Sequence, residues 1–198
     1  MNQPSRLATL YLLGFALDLV NIFIASVAYP DIGRSLGASV ATLAWIGNTY
    51  LLGLTLVIPL SVWLASRLGE RRLMLLALAG FASASLGCGL AGSAATLIVW
   101  RLCQGLAGGL LIPLGQAMAY RNVPAARMGH ASALWNINRQ LAFCLGMAVL
   151  GGLLNLLQAR ADPAAFVHCF LFAAAFTLLP LPWVRRIDSA GVRALVQT

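Results

Sequence analysis

Long apolar runs separated by short polar stretches make up almost the whole chain. Six windows are each long enough to cross the ~30 Å hydrocarbon core of a bilayer, which takes about 20 helical residues. They cover approximately residues 7–29, 43–65, 73–92, 96–119, 131–157 and 165–184. Only short loops lie between them, and residues 187–198 follow as a short tail. The pattern predicts a six-helix transmembrane domain over residues 1–186, followed by a cytoplasmic tail.

The composition excludes an ordinary soluble domain. Of the 198 residues, 61% are hydrophobic, 9% are charged and none is lysine, whereas soluble domains carry roughly 25% charged residues. We therefore predict an all-α polytopic membrane protein. The formal charge of +8 does not predict a nucleic-acid partner, because most arginines fall on one side of a six-span arrangement. By the positive-inside rule, both termini are expected to be cytoplasmic, in the cell (inner) membrane.

Arg101 and Arg139 lie inside predicted spans. A guanidinium in hydrocarbon is costly, so it is expected to face a protein interior or a watery cavity and to have a partner. Gln104 and Gly105 follow Arg101 at helical spacing, and Gly105 and Gly109 permit close helix contact. Arg101 is therefore a functional-site hypothesis. The alternative is an arginine that only joins helices by bonding to backbone carbonyls.

The first span contains Asp18, and Asn21 lies on the same helix face three residues later. An ionisable carboxyl group at mid-helix is a candidate proton site. The alternative is a static ion pair between Asp18 and Arg101 or Arg139. Pro30 is expected to end this helix, with the first external loop over residues 31–40.

The fifth span carries the most polar cluster within any predicted helix. Asn136, Arg139 and Gln140 share one face that can point into a central cavity. The third span has a ladder of small residues that permits close helix packing: Ala79, Ser83, Gly87 and Ala91.

The cysteines lack the spacing of a metal or disulfide site, and we interpret them as small apolar packing residues: Cys88, Cys103, Cys144 and Cys169. No cofactor or metal is predicted. No nucleophile or phosphate-binding loop of recognisable spacing favours an enzyme.

A charged turn separates the second and third windows. It reads Trp63-Leu-Ala-Ser-Arg-Leu-Gly-Glu-Arg-Arg-Leu73, and Gly69 can adopt the left-handed conformation that ends a helix. This turn resembles the cytoplasmic loop between helices 2 and 3 of the major facilitator superfamily, G-x-L-a-D-R-x-G-R-R. The matching residues of this predicted gating loop include Arg67, Gly69, Arg71 and Arg72. Ser66 replaces the family's Asp, whose carboxylate takes part in a gating contact, so that contact is not expected in its usual form.

Further motifs resemble the 14-span drug:proton antiporter branch of this superfamily. The stretch from Trp45 to Leu52 is similar to the W-v-v-t-a-Y-l-l opening of helix 2. Arg101-x-x-Gln104-Gly105 matches R-x-x-q-G in helix 4, whose arginine is implicated in proton transfer.

Two helices depart from the branch. Asn21 stands where the first helix of the branch has an Asp, although Asp18 lies one turn earlier. Met147 and Ala148 replace the Gly-Pro of the helix 5 pattern G-P-x-x-G-G. Residues 129–141 look instead like the corresponding helix in the second half of the same transporters.

The resemblance implies one six-helix half of a major facilitator fold, whose complete members hold substrate between two halves. It implies a proton-coupled secondary transporter that exports small organic or drug-like molecules. The expected partners are the lipid bilayer, protons, the substrate, and a second copy or another half-length protein. Asp18 and Arg101 would couple the proton, and the substrate site would contain Asn21, Gln104, Asn136, Arg139 and Gln140. The alternative is a truncated or degenerate half that transports nothing and serves at most as a membrane interaction partner.

Overall fold

The computed structural model describes residues 28–120, 123–160 and 165–178. These ranges contain no strand, and their helices are α1 over residues 28–36, α2 Val40–Leu68, α3 Glu70–Gly89, α4 Ala94–Tyr120, α5 Met128–Ala159 and α6 Ala165–Thr177. A 3-10 turn, Ala125–Arg127, precedes α5. By length and apolar composition, α2, α3 and the Ala94–Ala117 part of α4 are candidate membrane spans. The described residues are therefore helical and include three candidate spans, which agrees with the predicted all-α polytopic membrane protein.

The prediction that Pro30 ends the first helix is wrong, because residues 28–36 are helical. A proline lacks the backbone N–H and loses one helical hydrogen bond, but its carbonyl group still accepts one. The Nε of Arg34 donates to the Pro30 carbonyl oxygen at 3.2 Å, and Nη2 of Arg34 forms an ion pair with Asp31 at 2.9 Å. These contacts stabilise the helical turn that follows Pro30, but they do not replace the hydrogen bond that a proline cannot donate. The chain leaves the helix at Gly37, whose φ is +59°.

Local capping explains where α2 begins and ends. The backbone N–H of Thr42 donates to the Ser39 hydroxyl oxygen at 3.2 Å, which satisfies one of the unpaired donors at a helix start. The helix then continues through Pro59. Gly69, with φ +79°, ends α2 and directly precedes α3. The predicted positive φ is present, but ψ is 144°, outside the left-handed helical conformation.

The backbones of α2 and α4 approach each other closely at three glycines. A Cβ atom at Gly53 would lie 2.5 Å from the Leu102 carbonyl oxygen, and one at Gly109 would lie 2.6 Å from the Leu54 carbonyl oxygen. A Cβ at Gly105 would overlap the carbonyl group of Tyr50. The predicted use of Gly105 and Gly109 in close helix contact is confirmed, and it brings the side chains beside them within reach of α2.

The small-residue ladder predicted on α3 is used only in part. Gly87 and Ala91 are buried, and Gly87 lies directly against the Trp100 ring of α4. Ala79 and Ser83 are exposed, so the prediction that they pack against another helix is wrong for this chain alone. Small side chains permit close contact, but they do not determine which part of a face receives a neighbour.

All six helices contribute to one apolar cluster near the α1–α2 loop. It includes Ala28, Ile32, Ile46, Cys88, Leu97, Leu154, Cys169 and Phe170. At the same end, Nε2 of Gln158 in α5 donates to Oδ2 of Asp31. Cys88 and Cys169 are buried, as predicted for packing residues, whereas Cys103 and Cys144 are exposed and that prediction is wrong for them. The cluster fixes α3 and α4 relative to α2 immediately beside Arg101.

Candidate functional site

Arg101 is the largest completely buried side chain in the described ranges, with 0% exposure. It lies seven residues into α4, about 10 Å from the helix start at 1.5 Å per residue. The start of α4 is fixed by Ser93, whose hydroxyl accepts from the Thr96 backbone N–H at 3.2 Å. Because Gly105 lies one turn further along the face that meets α2, Arg101 is directed into the α2–α4 contact.

Two groups of α2 contact the guanidinium. The Nε of Arg101 donates to the Ile46 carbonyl oxygen at 3.4 Å. The guanidinium carbon lies 4.5 Å from the centroid of the Tyr50 ring, within the range of a cation–π interaction. Tyr50 is itself completely buried. The side chain of Arg101 is thus enclosed by protein and lies against the aromatic face of its neighbour.

A chain of buried hydrogen bonds connects Arg101 to α3. Nη1 of Arg101 donates to Oε1 of Gln104 at 2.7 Å, and Nε2 of Gln104 donates to Oγ of Ser85 at 2.7 Å. The Ser85 hydroxyl donates to the Phe81 carbonyl oxygen at 2.9 Å. The thiol of Cys88 also donates to Oε1 of Gln104, at 3.8 Å. Arg101 and Gln104 are therefore brought together, and α3 supplies the polar groups that extend the chain.

These contacts offset part of the cost of burying a charge. An arginine side chain stays protonated in proteins, and desolvation of such an ion costs several kcal/mol. A hydrogen bond to a charged group is worth about 1.5–3 kcal/mol, and a desolvated cation–π contact about 2 kcal/mol. The result is a fixed positive charge inside an apolar bundle, where its field is weakly screened.

The predicted site residues on α5 lie apart from this network. Asn136 and Gln140 are exposed on the bundle surface, and the side chain of Arg139 lies outside the described residues. Asp18 and Asn21 also lie outside them. The spacing on α5 correctly puts Asn136 and Gln140 on one helix face, but it does not give the direction of that face. In the structure it points away from the other described helices.

The predicted gating loop forms the tight turn between α2 and α3. The guanidinium carbon of Arg67 lies 5.6 Å from the centroid of the Trp63 ring. Arg67 lies in the last turn of α2, and Glu70 lies in the first turn of α3. The helix dipole favours a positive charge at a C-terminus and a negative charge at an N-terminus, so both residues stabilise their helix ends. Arg72 is exposed and Arg71 is half-buried. The hydroxyl of Ser66 donates to the Trp63 carbonyl oxygen at 2.8 Å, within its own helix.

Sequence reasoning missed Ser85 and Tyr50 as members of the buried network. Tyr50 belongs to the motif matched at the start of the second span, and it lies between Ile46 and Gly53 on one face of α2. That shared face is the only local signal for its place in the network. Ser85 lies one turn before Cys88 on α3, without a further polar neighbour on that face to single it out. Across the described ranges, no group of three His, Cys, Asp or Glu side chains is arranged to hold a metal ion.

Long apolar helices around a fully buried arginine network define a multi-pass membrane protein. A family model described as Major Facilitator Superfamily matches residues 11–195. The chain belongs to this superfamily, and the resemblance drawn from the motifs is confirmed.

Relatives in the same superfamily are named for drug and fatty acid resistance. The chain is 36% identical over 159 residues to the multidrug export protein EmrB of Escherichia coli (strain K12), covering 77% of this chain and 31% of EmrB. It is 37% identical over 136 residues to the fatty acid resistance protein FarB of Neisseria gonorrhoeae, covering 69% of this chain and 27% of FarB. A putative multidrug resistance protein, MdtD of Salmonella paratyphi B, is 32% identical over 142 residues, with 72% and 30% covered. The matched region spans less than a third of these relatives.

Proposed function

We propose that the chain is one six-helix half of a major facilitator transporter, with both termini on the cytoplasmic side of the inner membrane. A second copy, or another half-length protein, completes the cavity. The assembly exports small organic or drug-like molecules in exchange for protons. The names of EmrB and MdtD support drug-like substrates.

The complete burial of Arg101 carries this proposal. Ionisable groups inside membrane helices are rare, because each costs free energy, and they commonly mark substrate or proton pathways. Arg101 is held by contacts from α2 and by the Ser85–Gln104 chain. A charge fixed so firmly in a weakly screened interior acts strongly on the proton affinity of a nearby carboxyl group. In the proposed mechanism Asp18 binds and releases the proton, and Arg101 tunes that affinity.

The exposed polar face of α5 supports the need for a second half. Asn136 and Gln140 are exposed, on a different face of α5 from the exposed apolar residues Leu141 and Leu145. An amide group that faces lipid leaves its donors and acceptors unsatisfied, at a cost of several kcal/mol per group. A facing half would enclose the amides in a wet cavity and leave the leucines toward lipid. Together with Asn21 and Arg139, these amides would line the substrate path, whereas Gln104, predicted for the same path, is completely buried and bonds to Arg101.

Transport in proteoliposomes under an imposed pH gradient tests the proposal. The purified native chain should move a fluorescent drug-like substrate, and the gradient should accelerate that movement. Asp18→Asn should abolish the acceleration, because the neutral amide cannot take up the proton. Asp31→Asn is the matched control, since Asp31 lies in α1 and pairs with Arg34, and it should keep the acceleration. If Asp18→Asn keeps the acceleration, as Asp31→Asn does, that result would contradict proton coupling through Asp18.

A second candidate function is a degenerate half without transport. The hydroxyl of Ser66 bonds within its own helix, so it does not replace the acidic group that the family uses to contact the other half. Native mass spectrometry from lipid nanodiscs distinguishes the two candidates. A strict monomer that gives no substrate flux would favour the degenerate half, because one half cannot enclose a cavity between two halves.

A further inference from the structure

We propose that Ser85 is a positioning residue for Arg101, and that it acts by holding the Gln104 amide, whose oxygen accepts a hydrogen bond from the guanidinium. This inference rests on the proposed function for its consequence in transport. The orientation of the chain itself follows from the described contacts alone.

The Ser85 hydroxyl has a single hydrogen, and the Phe81 carbonyl oxygen receives it at 2.9 Å. The hydroxyl can then only accept a hydrogen bond from Gln104, which lies 2.7 Å away. Since only the amide nitrogen of Gln104 can donate, Nε2 must face Ser85. The opposite end of the amide, Oε1, must therefore face Nη1 of Arg101, at 2.7 Å.

The guanidinium carries only donors, so it selects the oxygen end of the Gln104 amide. The nitrogen end then needs an acceptor, and the Ser85 hydroxyl supplies it. Ser85, Gln104 and Arg101 are all 0% exposed, so water cannot replace that acceptor, and an unmade buried bond costs its full desolvation penalty. The backbone of α3 thereby determines the position of a charge on α4.

All hydrogens in this chain point in one direction, from Arg101 toward the Phe81 carbonyl group. The chain ends on a backbone carbonyl oxygen, which does not take up a proton, so the chain holds the guanidinium still and does not conduct protons. Arg101 then acts as a stationary charge while other groups exchange protons. Loosening Ser85 should let the guanidinium move without removing its charge.

The same helix supplies a matched control. The hydroxyl of Ser83 also donates to the carbonyl oxygen four residues earlier, that of Ala79, at 2.8 Å, but Ser83 is exposed. Ser85→Ala and Ser83→Ala therefore remove the same oxygen atom and the same type of intrahelical bond. Only Ser85→Ala also removes an acceptor for Gln104.

The first measurement is the NMR signal of the Arg101 side chain in nanodiscs, assigned by its absence in Arg101→Lys. Rotation about the Nε–Cζ bond should be slow in the native chain and unchanged in Ser83→Ala. In Ser85→Ala it should accelerate about fivefold, the factor that corresponds to one net hydrogen bond. Equal rotation rates in the two serine variants would overturn the proposal, whatever the transport result.

The second measurement is transport. Ser85→Ala should lower kcat about fivefold with KM changed less than about twofold, because the Arg101 charge is less well positioned and no residue of the substrate path is changed. In a Gln104→Leu background, Ser85→Ala should have no further effect, since its influence passes through Gln104. Additive losses would overturn the proposal. A native chain that transports nothing, with the NMR result as expected, would reject the proposed function and leave the positioning role supported.

Discussion

Replacing Gly105 with alanine should separate α2 from α4 at the point where Arg101 is held. A Cβ atom there would lie 2.9 Å from the Tyr50 carbonyl carbon and 3.1 Å from the Leu54 backbone nitrogen, and it would overlap the Tyr50 carbonyl oxygen. All three are backbone atoms, so no side chain can rotate to make room. The two helices themselves must move apart.

The cost can be worked from these distances. Carbon atoms pack best at about 3.5–4.0 Å, so relief requires a shift of roughly 1 Å. Overpacking of this type typically costs about 1–3 kcal/mol, while alanine regains about 0.8–1 kcal/mol of helix propensity relative to glycine. Because the clash falls on backbone atoms that cannot rotate away, the upper part of the overpacking range, about 2–3 kcal/mol, applies, and we expect a net destabilisation of about 1–2 kcal/mol. The bond between Arg101 and the Ile46 carbonyl oxygen, already 3.4 Å long, should break, because hydrogen bonds of this type are rarely longer than about 3.2 Å.

Equilibrium unfolding in mixed micelles, followed by tryptophan fluorescence, measures the change. Gly80→Ala and Gly152→Ala are the controls. A Cβ at Gly80 would make ordinary contact with the Ala107 Cβ at 3.5 Å, and one at Gly152 would meet nothing within 4 Å. Both controls should be as stable as the native chain or slightly more stable. If Gly105→Ala unfolds at the same denaturant concentration as the controls, the close helix contact does not exist in the membrane.

Three further predictions concern the same helices. Tyr50→Leu should destabilise the chain by about 2 kcal/mol more than Tyr50→Phe, because phenylalanine keeps the ring that faces the guanidinium. A smaller difference in unfolding free energy would exclude the cation–π contact. Gly69→Ala should lower the free energy of unfolding by about 1 kcal/mol, because alanine is strained at the positive φ of this position. The thermal unfolding midpoint should fall, and an unchanged midpoint would contradict the turn geometry. Arg101→Gln removes the charge that tunes proton affinity, so the pH midpoint of transport should shift; an unmoved midpoint would remove Arg101 from the coupling mechanism.

Much of this architecture is predictable from the sequence because hydrocarbon leaves few choices. Apolar length identifies the helices, and the free energy of an exposed charge predicts that Arg101 turns inward. The three-residue spacing of Arg101 and Gln104 puts both on one face, and a hydrogen bond between them follows. Gly69 is predictable for a similar reason, since a charged turn this short requires a residue that tolerates positive φ.

The remaining features depend on tertiary contacts that local patterns do not encode. Periodicity gives the face on which Ser85 lies, but not that Gln104 meets it across the α3–α4 contact. It likewise gives no sign that the Tyr50 ring lies over a guanidinium. The local expectation also fails at Pro30, since residues 28–36 are helical. For Ser85 and Tyr50, a neighbouring helix supplies the partner that the local sequence does not show.

The central claim is that two halves with a buried arginine network form one proton-coupled transporter. Mixing native chain with Asp18→Asn at known ratios before reconstitution tests it most directly, with pH-driven flux as the readout. If each transporter contains two copies and needs both carboxyl groups, flux should fall as the square of the native fraction. A linear fall would mean that single chains work independently and would contradict the account.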